Sequence, residues 1–149
     1  SDVTLLVTTH YMDEAERCGK VGYLYLSNML VEGRPDELTE LPAVTPLGMR
    51  RVEAECETGA AAVMGIARGL PYVEEVTIFG NALHLLLDGA IDDQTLGRDL
   101  ALAADARVEV RPIAPSLEDV FVRLTRLEAE KAEQAEKSQA VSKVQGAKR

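Results

Sequence analysis

The chain has 149 residues, with 25 acidic and 16 basic side chains and a net charge of −9 at pH 7. That balance excludes broad affinity for nucleic acid or anionic membrane, whose phosphates it repels. Its 46% of hydrophobic residues includes only 4% aromatics and no Trp, so a core of Leu, Val and Ala is expected, enough for one domain or for one domain and a fragment. No run approaches the roughly 18 apolar residues of a membrane span. Cys18 and Cys56 lack C-x-x-C spacing and a neighbouring histidine. They read as unpaired thiols, and no metal site is expected.

Residues 1–41 open with Val3-Thr4-Leu5-Leu6-Val7, an apolar, β-branched run that predicts a strand buried on both faces, as in a parallel sheet. Thr8-Thr9-His10 follows at the strand's carboxyl end, where open α/β sheets carry their chemistry. His10 is the candidate functional residue. A helix is predicted from Met12 to Cys18, with Asp13 and Glu14 in its first turn and Gly19 as its stop. Val21–Leu26 and Met29–Glu32 predict a hairpin turning at Ser27-Asn28. Pro35-Asp36-Glu37-Leu38 predicts a short helix. The first strand has no parallel neighbours in the chain, so it is expected to be poorly ordered, swapped or paired with another chain.

Leu41–Gly48 holds two prolines and a glycine and reads as a linker over 42–48. Residues 49–127 follow as a unit. Met49–Glu57 alternates as a half-buried strand, and Thr58 is placed to cap a helix from Gly59 to Arg68. Tyr72–Phe79 and Ala82–Leu87 predict strands joined by a Gly80-Asn81 turn. Asp92 or Asp93 caps a helix to Ala104, and Ala106–Pro112 makes a fourth strand. The order β-α-β-β-α-β is the split βαβ of a ferredoxin-like domain, and the fold class is α+β. His84, between Leu83 and Leu85, is expected on the solvent side or the helix-free side of the sheet, with a structural role outweighing a catalytic one. Glu74 and Glu75 should point to opposite strand faces and share no proton.

Ser116 and Asp119 form a box-like helix start, ahead of an apolar stripe of Leu117, Val120, Phe121 and Leu124. Residues 128–149 read as a charged tail, helical or disordered, in which the helix continues a few turns and frays.

The wording Thr8-Thr9-His10-Tyr11-Met12-Asp13-Glu14-Ala15-Glu16 resembles the switch-histidine region of ABC transporter ATPases, especially those of drug, antibiotic and polysaccharide exporters. The similarity runs through Cys18-Gly19-Lys20-Val21 and Leu24-Tyr25-Leu26 to Val31–Leu38, with departures at Gly19-Lys20, Ser27-Asn28 and Arg34 that fall in turns. Pro115-Ser116-Leu117-Glu118-Asp119-Val120-Phe121 resembles the C-terminal signature of the same family.

The resemblance implies a C-terminal fragment of an α/β P-loop ATPase domain over 1–41, followed by an accessory domain. It gives His10 the family histidine's place, contacting the ATP γ-phosphate in a catalytic and nucleotide-binding role. The chain has no G-x-x-x-x-G-K-[ST] loop, no Leu-Ser-Gly-Gly signature and no strand ending in Asp-Glu. The fragment alone is therefore expected to be inactive, with ATP and Mg2+ bound by the full-length protein. A transmembrane permease and a second ATPase subunit are the implied partners. The implied location is cytoplasmic, peripheral on the inner face of the membrane. The alternative is a stand-alone module, without ATPase activity, that senses a small ligand or binds protein.

Overall fold

The computed structural model describes residues 3–146, with side chains to residue 138. Residues 3–9 form no regular secondary structure. Leu5 is 83% and Leu6 96% exposed, which corrects the expectation of a buried strand at Val3–Val7. A strand needs ladder partners for its backbone groups, and among the described residues this segment has none.

The first helix, α1 (Met12–Ala15), is shorter than expected; Gly19 follows a turn rather than a helix end. β1 (Val21–Tyr25) and β2 (Asn28–Gly33) form an antiparallel hairpin. Its turn is Leu26-Ser27, not Ser27-Asn28, and both residues have positive φ, 46° and 65°. The register explains the shift. Tyr23 pairs with Val31 but Leu24 with Met29, so Leu30 is an extra residue that moves the turn by one. α2 (Pro35–Thr39) begins with Pro at its first turn, and the Glu37 side chain accepts from the Arg34 N–H at 3.0 Å.

The second layer contains β3 (Met49–Cys56), α3 (Ala60–Gly69), β4 (Val73–Phe79), β5 (Ala82–Asp88), α4 (Asp93–Ala104) and β6 (Val108–Pro112). The strands lie in the order β4-β5-β3-β6, and every neighbouring pair is antiparallel. The chain is thus α+β. Gly59, with φ of 91°, is the N-cap residue of α3. Thr58 does not cap it, because its hydroxyl lies 3.1 Å from the Cys56 sulfur. Asp92 caps α4 by accepting from the Thr95 N–H at 2.7 Å, while Asp93 pairs with Arg50 at 2.7 Å.

Strand alternation divides the sheet into two chemically different faces. Val52, Ala54, Cys56, Leu83, Leu85 and Leu87 pack against Val63 and Ala67 of α3 and Leu96 and Leu100 of α4. Burying each such leucine contributes about 1.5–3 kcal/mol. Strand positions between these residues include Arg51, Glu53 and His84, which are also buried.

Their cover is α5 (Leu117–Gly146), a helix of 30 residues and longer than the few turns expected. Its start packs Leu117 and Val120 with Ala15, Tyr23, Leu38 and Val44 in a second core. One helix therefore closes the open face of the sheet and also holds the hairpin layer. Residues 42–48, expected as a linker, are pinned: Val44 is fully buried, and the carbonyls of Ala43 and Val44 accept from Arg123 at 3.1 Å and Arg51 at 2.8 Å.

Candidate functional site

Two constellations stand out. The first surrounds His10. The Thr9 hydroxyl accepts from the Tyr11 N–H at 3.0 Å and donates to the Glu14 carboxylate at 2.6 Å. These bonds tie the segment to the first turn of α1. His10 itself is exposed, its ring tilted against Tyr11 with centroids 4.1 Å apart. Ala15 of α1 is buried in the second core, with Met12 packed beside it. The Tyr23 hydroxyl lies 3.8 Å from the Met12 sulfur and donates to the Leu117 carbonyl at 2.7 Å. Burial, then the charges of Glu16 and Glu118, push the Tyr23 phenol well above its ordinary pKa. It stays a neutral donor, joining α1 to the first residue of α5.

The second constellation is an ionic network beneath α5, and Asp119 is its centre. The Asp119 carboxylate accepts from the Ser116 N–H at 2.8 Å, while the Ser116 hydroxyl accepts from the Asp119 N–H at 3.2 Å. This is the expected helix-start box, but the carboxylate does more. It lies 3.1 Å from His84 Nδ1 and 3.5 Å from Arg51 Nη1. His84 Nε2 lies 3.3 Å from Glu53, which also accepts from Arg111 Nε at 2.7 Å. Arg51 reaches Glu75 at 3.2 Å. The buried guanidinium of Arg123 lies 3.2 Å from Glu74 and 3.7 Å from Glu75. The two glutamates were expected on opposite faces. A bulge between Val73 and Glu75 breaks the alternation and turns both toward Arg123.

His84 lies on the sheet face away from α3 and α4, but α5 covers that face, so the residue expected toward solvent or a helix-free side is buried, 6% exposed, against Asp119. Its ring stacks on Phe79 with centroids 4.4 Å apart. Burial opposes the charged imidazolium, but the carboxylates of Asp119 and Glu53 outweigh it and raise the pKa. Burial likewise pushes Asp119 and Glu53 upward. Hydrogen bonds from His84 and Ser116 to the first, and from Arg111 and His84 to the second, prevail and hold both below the ordinary value.

The sign of the pH effect follows. A raised His84 stabilises the fold fully below its unfolded pKa of about 6.5, and that contribution is lost as pH rises through the folded value. The depressed carboxylates stabilise it above about 3.9–4.3 and lose their contribution as pH falls through their folded values. Urea midpoints are therefore expected to be higher at about pH 5.5 than at about pH 8.5. His84→Gln should flatten the difference; equal midpoints for the unaltered chain would contradict the linkage.

Sequence reasoning named the Ser116–Asp119 box but missed Arg51, Glu53, Arg111 and Arg123 as network members. One signal was available. Asp119 and Arg123 are four residues apart on α5, hence on one helix face, and they match charges of opposite sign at alternate strand positions. The network and His10 remain separate, and α1 meets the start of α5 through Tyr23 and through the packing of Ala15 with Leu117 and Val120.

No family model and no solved structure matches the chain. Among curated proteins, Nod factor export ATP-binding protein I of Rhizobium etli is 34% identical over 133 residues, covering 86% of this chain and 37% of that protein. The protein of the same name in Rhizobium sp. strain N33 is 36% identical over 129 residues, covering 86% of this chain and 38% of its own length. The probable multidrug ABC transporter ATP-binding protein YbhF of Escherichia coli K12 is 50% identical over 36 residues, 24% of this chain and 6% of that protein. The chain spans little more than a third of the length of its Nod-factor relatives. Among the described residues no helix is long and apolar enough to cross a membrane. These similarities agree with the two motif matches at opposite ends of the chain, and over 86% of its length the chain is homologous to ABC transporter ATP-binding subunits.

Proposed function

We propose that this chain is the C-terminal portion of an ABC exporter's ATP-binding subunit, with residues 49–127 as a ferredoxin-like accessory domain of regulatory or dimerising role. The observation that carries the reading is the presentation of His10. The imidazole is exposed, while the segment behind it is tied to α1 and through Tyr23 to α5. An imidazole N–H so held can donate to a γ-phosphate oxygen and stabilise the charge that develops in phosphoryl transfer. The antiparallel order β4-β5-β3-β6 supports the accessory-domain reading, because a βαββαβ chain reaches that order by two split crossovers.

In the intact subunit, ATP binding closes two copies and drives a transmembrane permease from the cytoplasmic face. Among the described residues of this chain no group of three or more His, Cys, Asp or Glu side chains could hold a metal ion. Its own part is His10 at the phosphate and the connection from α1 to α5.

The test is His10→Ala in the full-length subunit. Turnover is expected to fall about 10²–10³-fold, the scale of removing one donor to developing charge, with nucleotide still bound. Near-normal hydrolysis would refute the assignment.

A further inference from the structure

We propose that the outer edge of β6 pairs antiparallel with the same edge of a second copy of this chain, about a two-fold axis at Val108. The proposal rests on the dimerising role given above to residues 49–127 and names the surface that performs it. β6 ends the sheet order β4-β5-β3-β6, and among the described residues no strand pairs with its outer side. The ladder to β3 shows which backbone groups face outward. The Glu57 N–H donates to the Arg107 carbonyl at 3.0 Å, and the Ile113 N–H donates to the Arg51 carbonyl at 3.2 Å. Antiparallel ladders turn alternate residues toward the neighbour, so Arg107, Glu109, Arg111 and Ile113 serve β3. The N–H and carbonyl groups of Val108 and Val110 therefore point away from it. An open edge of this kind is a template for another strand.

The side chains specify which strand fits. Arg107, Glu109 and Arg111 alternate with the valines and share one face. Arg107 and Glu109 have exposed side chains and, among the described residues, pair only with each other, at 2.6 Å. In a pair centred on Val108, Arg107 of each copy stands opposite Glu109 of the other, and opposite charges directly across the strands stabilise them. The two Val108 residues exchange both backbone bonds, and each Val110 N–H reaches the Ala106 carbonyl across the axis. Centring on Glu109 would set Glu109 against itself and Arg107 against Arg111, a register that like charges oppose. Centring on Val110 would set Glu109 against Arg111, already held by Glu53, and Val108 against Pro112, which has no N–H to return. The other edge, β4, carries only the acidic charges Glu74 and Glu75, and its Glu74 carbonyl accepts from Arg126 at 2.7 Å, so it does not complement itself. A strand that meets itself closes the contact at two copies. So small a contact makes a weak dimer, which suits subunits already brought together by ATP-driven closure.

Sedimentation equilibrium of the 149-residue chain at low salt, without nucleotide, tests the edge. Self-association with a Kd on the order of 0.1 mM is expected. Arg107→Glu and Glu109→Arg alter exposed side chains and leave the ladder to β3 intact. Each substitution alone sets like charges across the axis and should weaken self-association about tenfold. An equimolar mixture of the two variants restores opposite charges in both pairs of the heterodimer. It should associate about tenfold more tightly than either variant alone. A chain still monomeric at about 1 mM would overturn the edge and the dimerising role together. Self-association indifferent to both substitutions, or a mixture no tighter than its components, would overturn the edge and leave the dimerising role standing.

Discussion

Asp119→Ala is expected to destabilise the chain by about 3–5 kcal/mol, the cost of removing one partner from a buried ion pair. That is a large share of the roughly 5–15 kcal/mol by which domains are stable. Asp119 is 2% exposed, and alanine would remove three contacts together. His84 and Arg51 would each lose a buried counter-charge, and the N–H and hydroxyl of Ser116, just ahead of α5, would lose their acceptor. Ser116→Ala removes only part of the helix-start box and should cost about 1 kcal/mol. Asp119→Asn keeps an acceptor for Ser116 but no charge, and should fall between the two. Urea unfolding of the three variants orders them. If Asp119→Ala proved no worse than Ser116→Ala, the ionic contacts would contribute nothing.

The second large effect is expected at Arg51, which is 4% exposed and sits between Glu75 and Asp119. Its guanidinium also donates to the Val44 carbonyl at 2.8 Å, holding residues 42–48 against the sheet. Arg51→Met keeps the apolar volume but strands two buried carboxylates and a carbonyl. A loss of about 3–5 kcal/mol is expected. Adding Glu75→Leu should restore part of it, because replacing both members of a buried pair by apolar groups is often close to neutral. A double-mutant cycle measures that coupling. Strict additivity would mean that Arg51 stabilises through packing and Val44 alone.

Much of the second layer was legible from residue order. Val52, Ala54 and Cys56 alternating with charges marked a strand, and Gly80-Asn81 marked the turn that joins β4 to β5. Such signals are local, written in a few consecutive side chains. Val3–Val7 has the composition of a buried strand, its lack of parallel neighbours was equally legible, and among the described residues it pairs with none. The misses were non-local. The hairpin turn moved because Leu30 bulges, an effect set by packing rather than turn propensity. Alternation showed that Arg51, Glu53 and His84 share one face of the sheet. It could not show that α5 covers that face, so side chains that read as solvated are buried. His10 is a candidate from its motif alone, whereas the joint approach of Glu74 and Glu75 to Arg123 required the bulge that only the fold displays.

The bare segment at residues 3–7 also bears on how this chain behaves at high concentration. Thr4 through Val7 is β-prone, uncharged and free of proline, and Leu5 and Leu6 meet water almost completely. Short stretches of that kind stack between molecules into cross-β fibrils. Colloidal repulsion from the net charge of −9 opposes such stacking near neutral pH. The repulsion vanishes near the isoelectric point of about 4.7. Acidification thus brings the molecules together with their adhesive ends uncovered, and solubility depends on electrostatics where packing leaves the apolar residues bare.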